Sequence, residues 1–337
     1  MRLGLVTYTN LTSGIGIFAH EFLQYLPVDS ILSVNIPEKG QERWMDRQLS
    51  TKLPVRNDVV EQYLDTYRPD AVMFIETPFN DQLLWLAGKR GIKTVAICMH
   101  ESWTLRQLRT SDLIICPCYE AKRKVELTGG NGKLLFLPIS IKAFPFKQRT
   151  GHTFTQNLGF NEFNDRRQTA KLVKAFSLLE DPDARLILNS QGNWPKGTQI
   201  LDPRIEYRYR NVSDPADNYS DGDISILPMA YEGYGRTVLE SMASGMPTLT
   251  TNADPMNLFQ HDTDFLIDPC SRQERSGRGI KNTVFNEVSV GALKKKLEWL
   301  LTIDTAAYSL KARRQAIAQS WESEDIDYRS VWIEALT

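Results

Sequence analysis

What this 337-residue sequence lacks narrows its class before any motif is read. No apolar run approaches the ~18 to 20 residues that a bilayer-spanning helix needs. The opening M-R-L-G-L-V-T-Y starts as a strand rather than as a secretory signal, so a cytoplasmic protein is expected. Cysteine is scarce at four residues. Three of them, Cys98, Cys116 and Cys118, lie in or beside apolar strand-like runs, which fits a reducing compartment better than a disulfide framework. No low-complexity tract argues for disorder, and no repeat of ~20 to 50 residues argues for a solenoid. A dominant charge is missing too, since the formal net charge is -1. The halves differ mildly: residues 1–150 hold 19 Lys+Arg against 15 Asp+Glu, and residues 151–337 hold 21 against 26. The basic first half suits an anionic partner such as nucleic acid or an acidic membrane surface, although an excess this small is also ordinary scatter.

What is present is the composition of a soluble globular chain, with 42% hydrophobic and 24% charged residues, long enough for two cores. Short apolar or β-branched runs alternate with longer amphipathic ones. Strands are expected at 3–8, 30–36, 71–76, 94–99, 113–116 and 134–137, with helical spacing at 17–26, 59–67, 82–89 and 120–127. Pro138 to Gly151 reads as a linker. The alternation then restarts, with strands at 154–158, 185–189, 205–209, 224–227, 248–250 and 265–267. Helices are expected at 169–179, 237–243, 290–301, 306–319 and 325–336. This order predicts an α/β chain of two doubly wound, Rossmann-like parallel sheets, residues 1–148 and 149–321, with a last helix within 322–337 packing back on the first domain. Ligands of such sheets sit beyond the carboxyl ends of the strands, so facing domains are expected to form a cleft walled by strand-to-helix loops.

One such loop is Y-E-G-Y-G-R-T-V-L-E, Tyr231 to Glu240. Gly233 and Gly235 let the backbone approach a ligand, and a helix starting near Arg236 aims N–H groups at an anion such as phosphate. Glu240 lies roughly 7 to 8 Å further along the helix, so one extended ligand spans both Glu232 and Glu240. A carboxylate accepts two hydrogen bonds from a vicinal diol, as on a ribose or a pyranose; capping plus a solvated glutamate is the competing explanation.

The wider segment I-L-P-M-A-Y-E-G-Y-G-R-T-V-L-E-S-M-A-S-G-M-P resembles the signature of the family-4-like retaining glycosyltransferases of the GT-B fold. Glu232, Gly233, Gly235, Glu240, Gly245 and Pro247 match it. Upstream, F-T-Q-N-L-G-F-N-E-F-N-D-R-R-Q-T-A-K is similar to that family's first strand of the second domain. The resemblance implies that Gly159, Arg166, Arg167 and Lys171 hold the diphosphate of a nucleoside-diphosphate sugar. Phe160 stands where the family has an arginine, which shifts that task onto Arg166 and Arg167. In the first domain T-S-G-I-G-I-F-A resembles the family's glycine loop, placing Gly14 and Gly16 near the donor. It also reads as the dinucleotide fingerprint G-x-G-x-x-A, which keeps an NAD-dependent oxidoreductase open. Against that, the loop before it is long, and the one acidic candidate, Glu38, sits past Pro37.

His100, after the strand T-V-A-I-C-M, is expected at the sugar or the acceptor hydroxyl, with Glu101 a poorer candidate. Cys98, His100, Cys116 and Cys118 lie at neighbouring strand ends, but C-P-C lacks zinc-knuckle spacing and no zinc site is expected. The Asp221-Gly222-Asp223 pair precedes a strand, and no metal ligand is assigned. The resemblance implies a hexosyl- or pentosyltransferase that retains anomeric configuration and needs no cofactor beyond its nucleotide-sugar donor. Donor-binding residues are then Gly14, Gly16, Gly159, Lys171, Gly233, Tyr234, Gly235, Arg236, Thr237 and Glu240, with Glu232, His100, Arg166 and Arg167 catalytic. The acceptor stays open among glycan, small molecule, lipid and modified DNA. W-T-L-R-Q-L-R, A-K-R-K and a flexible basic insert, Ser271 to Asn282, suit a polyanion, and phage enzymes that glycosylate hydroxymethylated DNA bases share the fold. A sugar-nucleotide epimerase or hydrolase of the same fold is the nearer rival. Oligomeric state is not legible.

Overall fold

A run such as A-V-M-F-I carries no polar side chain because both faces of its sheet are covered. In the computed structural model all five of these residues are buried. The structure describes residues 1–35, 41–76, 78–159, 165–192, 200–210, 212, 214–277 and 280–337. Phe160, Pro37 and Glu38 lie outside them.

The chain begins β1 (Leu3–Thr7), α1 (Gly14–Tyr25), β2 (Val28–Asn35), β3 (Gln48–Lys52), α2 (Asn57–Tyr67), β4 (Ala71–Ile75) and α3 (Asp81–Lys89). It continues β5 (Lys93–Ile97), α4 (Leu105–Arg109), β6 (Leu113–Cys116), α5 (Tyr119–Glu126) and β7 (Lys133–Leu134). These strands form one sheet in the order β3-β2-β1-β4-β5-β6-β7, with every pair parallel. The second half runs β8 (Phe154–Gly159), α6 (Thr169–Phe176), β9 (Leu186–Ser190), β10 (Ile205–Tyr209), β11 (Ile224–Leu227), α7 (Arg236–Ala243), β12 (Thr248–Thr251) and β13 (Leu266–Ile267). Its sheet is again parallel, in the order β10-β9-β8-β11-β12-β13. The strands β14 (Ser271–Gly277) and β15 (Ile280–Glu287) pair with each other, and α8 (Val290–Leu300), α9 (Thr305–Ala318) and α10 (Tyr328–Leu336) complete the chain.

Two compact units result, one of Met1–Pro138, Gly277–Lys281 and Asp327–Thr337, the other of Ile139–Ser276 and Asn282–Ile326. The leading segment of the first unit runs to Pro138. The linker-like stretch after it is fastened to the second unit: Ile139 O accepts from Trp321 N at 2.9 Å, and the buried Arg149 donates to Tyr219 O at 2.6 Å and to Gly222 O at 2.8 Å. In the first unit α10 buries Trp332 edge-on to Phe22 of α1, ring centroids 4.9 Å apart. Covering a side chain of that size contributes roughly 1.5–3 kcal/mol.

Three expectations change. The expected flexible insert, Ser271 to Asn282, contains instead strand residues on both sides of 278 and 279, which lie outside the described residues; Phe285 of β15 lies 4.6 Å from Tyr231, ring to ring, and carries Arg275 4.6 Å above its ring. The strand expected at 134–137 is the two-residue β7, with residues 135–137 beyond it. The edge strand β3 was not expected, because Q-L-S-T-K has no apolar period. Among the described residues, no helix is long and apolar enough to cross a membrane.

Candidate functional site

In the second unit the carboxyl ends of β8 and β11 bring the expected residues together. β11 leads through Pro228 to the glycine loop, which closes on α7. Gly235 is the N-cap of that helix, with φ 85° and no side-chain cap. A residue with a Cβ is strained at this φ. The α6 end differs: the Asp165 carboxylate accepts from Thr169 N at 2.8 Å and from Ala170 N at 3.2 Å. α6 thus carries its own anion at its positive end, whereas the N-cap of α7 is a glycine with no side chain to offer.

Between the two helix ends lies a charged cluster. Arg167 Nη1 is 2.8 Å from Glu232 Oε1, and Arg166 Nη1 is 3.5 Å from Glu232 Oε2. The Arg167 side chain is only 4% exposed and that of Glu232 11%. Arg167 also donates to Thr237 Oγ1 at 3.1 Å. Burial pushes the Arg167 guanidinium down from its ordinary value, and the Glu232 carboxylate opposes that shift. The backbone holds the pair in place: Arg166 O accepts from Ala230 N at 2.7 Å, and Arg167 O from the Gln156 side chain at 2.9 Å.

Glu240, one turn into α7, is buried. Its Oε2 accepts from Tyr219 OH and its Oε1 from Arg236 Nε, each at 2.5 Å. Tyr219 is pushed well above the usual tyrosine value, by burial first and then by Glu240. Lys171 Nζ donates to Gln168 Oε1 and Glu287 Oε2, both at 3.0 Å. Hydrogen bonds from Lys171 and then Arg275 hold the Glu287 carboxyl below its ordinary range. Gly159, with φ 59°, turns the chain at the end of β8, and Tyr234 packs its ring 4.9 Å from Phe259. Gly233 lies between Glu232 and Tyr234 in the same buried loop.

Gly14, Gly16 and His100 belong to the first unit. Gly14 opens α1, and a Cβ there meets nothing within 4 Å. A Cβ on Gly16 falls 1.7 Å from Asn10 O, and Gly16 N already donates to Ser13 Oγ at 3.1 Å. That glycine is required by the turn's own packing, so its presence is explained without a ligand. His100 is buried, and Lys124 Nζ donates to its carbonyl oxygen. Cys118 Sγ accepts from Ala121 N at 3.4 Å, while burial raises the thiols of Cys98 and Cys116, the latter to about 12. Asp221 and Asp223 are engaged by Arg208 and Arg210 and by Thr153 N respectively. Tyr219, Gln168 and Glu287 were missed. Their partners lie 21, 3 and 116 residues away, and no motif marks Tyr219 or Glu287.

Residues 161–280 match the family model described as "Glycosyl transferases group 1". This segment holds Arg166, Arg167, Lys171, Glu232, Gly233, Tyr234, Gly235, Arg236, Thr237 and Glu240. Over this segment, 120 of the 337 residues, the chain is similar to the group 1 glycosyltransferases, and its two parallel α/β sheets have the GT-B fold. Among curated proteins, a Solanum tuberosum sucrose synthase is 31% identical over 110 residues, which is 32% of this chain and 12% of that protein. The sucrose synthase of Melioribacter roseus is 31% identical over 91 residues, 23% of this chain and again 12% of the relative. The match thus spans about an eighth of the length of these relatives. The sucrose-phosphate synthase of Thermosynechococcus elongatus superposes with TM-score 0.72 at 11% identity, over 100% of this chain and 99% of that one. HepE of Anabaena, solved with UDP and glucose, superposes with TM-score 0.69 at 12% identity, over 100% and 99%. At these identities the superpositions carry the fold.

Proposed function

We propose that the chain moves a sugar from a nucleoside-diphosphate sugar to an acceptor hydroxyl with retention of configuration, and with no metal in the chemical step. The observation that carries this reading is the Arg166–Glu232–Arg167 cluster beside the start of α7, whose N-cap is Gly235. A leaving nucleoside diphosphate gathers negative charge as the anomeric carbon–oxygen bond breaks. Two guanidinium groups, Lys171 and a helix N-terminus are suited to take up that charge, and removing one such donor costs about 10²–10³ in rate elsewhere. Glu232 binds sugar hydroxyls and steadies the oxocarbenium-like centre. Glu240 accepts from the ribose diol, held by Tyr219 and Arg236. In same-face attack the acceptor oxygen bonds to the anomeric carbon while its proton passes to the departing phosphate oxygen, so the protein supplies position and charge rather than a base. His100 positions the acceptor or the sugar. The free thiols agree with a cytoplasmic site of action.

A thermal-shift panel of UDP-, GDP-, ADP- and TDP-sugars tests the reading, with UDP-glucose first because HepE is solved with it. The expected result is a clear rise in Tm with one donor, followed by a mass increase of one sugar on an acceptor. Donor turnover with no acceptor present would instead indicate an epimerase or hydrolase. No rise with any donor would sink the proposal. Glu240→Ala is expected to weaken nucleotide binding, and Glu232→Ala to spare binding and abolish transfer.

A further inference from the structure

Arg166 and Arg167 sit in a turn that Gln168 closes, its N–H donating to Asp165 O at 2.7 Å. Gln168 is the N-cap residue of α6, yet its side chain does not cap the helix. Asp165 takes the first helix N–H groups, and the Gln168 side chain is buried elsewhere, with the residue only 4% exposed. Its backbone is left-handed, φ 50° and ψ 37°, a conformation that a glutamine holds only where its surroundings demand it. The demand comes from the amide. Nε2 donates to Pro228 O at 2.8 Å and to Asn286 O at 3.0 Å, while Oε1 accepts from Val288 N and from Lys171 Nζ, each at 3.0 Å. An amide offers two N–H donors and two lone pairs, so its whole capacity is used. Turning it over would set its oxygen against two carbonyl oxygens and its hydrogens against an N–H and an ammonium, so only one orientation fits.

One side chain therefore joins three segments: the turn of Arg167, the segment that leads from β11 to Glu232, and the end of β15. The middle segment is held from both sides. Ala230 N donates to Arg166 O at 2.7 Å, and Ala230 O accepts from Asn286 N at 2.7 Å and from Asn286 Nδ2 at 3.2 Å. Glu232 follows two residues later and meets Arg167 Nη1 at 2.8 Å. The spacing of that pair is thus set by two backbone segments, and the Gln168 amide spans both. Spacing matters because charged groups act on a developing charge only from the right place, and a misplacement of ~1 Å costs about 10²-fold in rate.

We infer that Gln168 is a positioning residue for the transfer: by tying Pro228 and the end of β15 to the turn of Arg167, its amide sets the spacing of Arg167 and Glu232. It acts through those two side chains rather than on the donor. This role rests on the proposed sugar transfer and deepens it, since the two groups it spaces are those assigned to the leaving phosphate and to the sugar.

Two variants separate the reach of the side chain from its hydrogen bonds. Gln168→Asn keeps an amide on a residue type that tolerates the left-handed backbone, but draws it back by one methylene, about 1.5 Å. Gln168→Met keeps the length and loses every hydrogen bond of the amide. In crystals of either variant the distance from Arg167 Nη1 to Glu232 Oε1 is expected to open from 2.8 Å to beyond about 4 Å, with β8, β11 and α7 in place. Initial rates, measured with the sugar nucleotide of the thermal-shift panel that raises Tm most and the acceptor that gains the sugar, are expected to show kcat lower by about 10–100-fold with the donor KM within about threefold. Ile303→Ala, in the apolar core of the same unit, is the control for lost stability, and both constants are expected to hold there even as Tm falls. A parent-like Arg167–Glu232 distance in both variants overturns the inference. So does a rate effect confined to KM, or a kcat loss that Ile303→Ala reproduces. If no donor raises Tm, the sugar-transfer reading fails, and the crystal distance alone still decides whether Gln168 sets the spacing.

Discussion

Replacing Arg167 by methionine removes the guanidinium that meets Glu232 at 2.8 Å and leaves that carboxylate with Arg166 at 3.5 Å. Methionine keeps most of the volume, so the change is electrostatic rather than a cavity. Glu232 stays 11% exposed, so water does not replace what is lost. Breaking a buried pair from one side costs about 3–5 kcal/mol. In a unit of this size a kilocalorie moves Tm by roughly 2–4 °C, so a fall of about 6–20 °C is expected. The decisive assay is a double-mutant cycle followed by circular dichroism on heating. Glu232→Gln removes the stranded charge, so Arg167→Met with Glu232→Gln should be more stable than the sum of the single losses by about 0.5–3 kcal/mol. Additive losses would refute the argument, because they would mean that the two charges do not interact across the buried contact.

Further outcomes follow from other parts of the same framework. Gly235→Ala forces a Cβ into φ 85°, with its nearest neighbour at an ordinary 3.5 Å, so chemical denaturation should show a loss of about 1–2 kcal/mol from backbone strain alone. A paired comparison separates the two glycines of α1: Gly14→Ala meets nothing within 4 Å and should leave Tm level or raised, while Gly16→Ala, 1.7 Å from Asn10 O, should lower it clearly. Glu287 titrates below its ordinary 4.5 when folded, because Lys171 and Arg275 hydrogen-bond to its charged form. A depressed carboxyl value gives stability that is complete above the unfolded value and is lost as pH falls through the folded one. The Tm gap between the parent and Glu287→Gln should therefore be positive at neutral pH and close as pH drops below about 4; a gap independent of pH would show that these pairs do not form.

Much of the fold was legible because strands covered on both faces are mainly apolar. β4, β6 and β11 announce themselves for that reason. The elements that escaped include β3, at a sheet edge, the β14–β15 pair, whose S-R-Q-E-R-S-G reads as a solvated charge run, and the five-residue α4, too short to show a helical period. The end of α6 at Phe176, short of the expected Leu179, was hidden because Leu178 and Leu179 continue the apolar period after the helix has stopped. In the site, the local spacing of Glu232, Gly235 and Glu240 was readable, since a turn and one helix fix it. What those carboxylates meet was not. Tyr219 reaches Glu240 from a 3-10 segment, and Glu287 reaches Lys171 from the hairpin, through tertiary contacts that no periodicity records. The glycine fingerprint at Gly14 and Gly16 shows the reverse case, a pattern that suggests a ligand where the Asn10 carbonyl already explains the missing side chain.

The most direct measurement is a crystal structure of the protein soaked with the donor that raises Tm most. The account predicts the diphosphate within hydrogen-bonding distance of Arg166, Arg167 or Lys171 and of the first N–H groups of α7, with a sugar hydroxyl on Glu232. A donor bound with its phosphates away from these groups would contradict it.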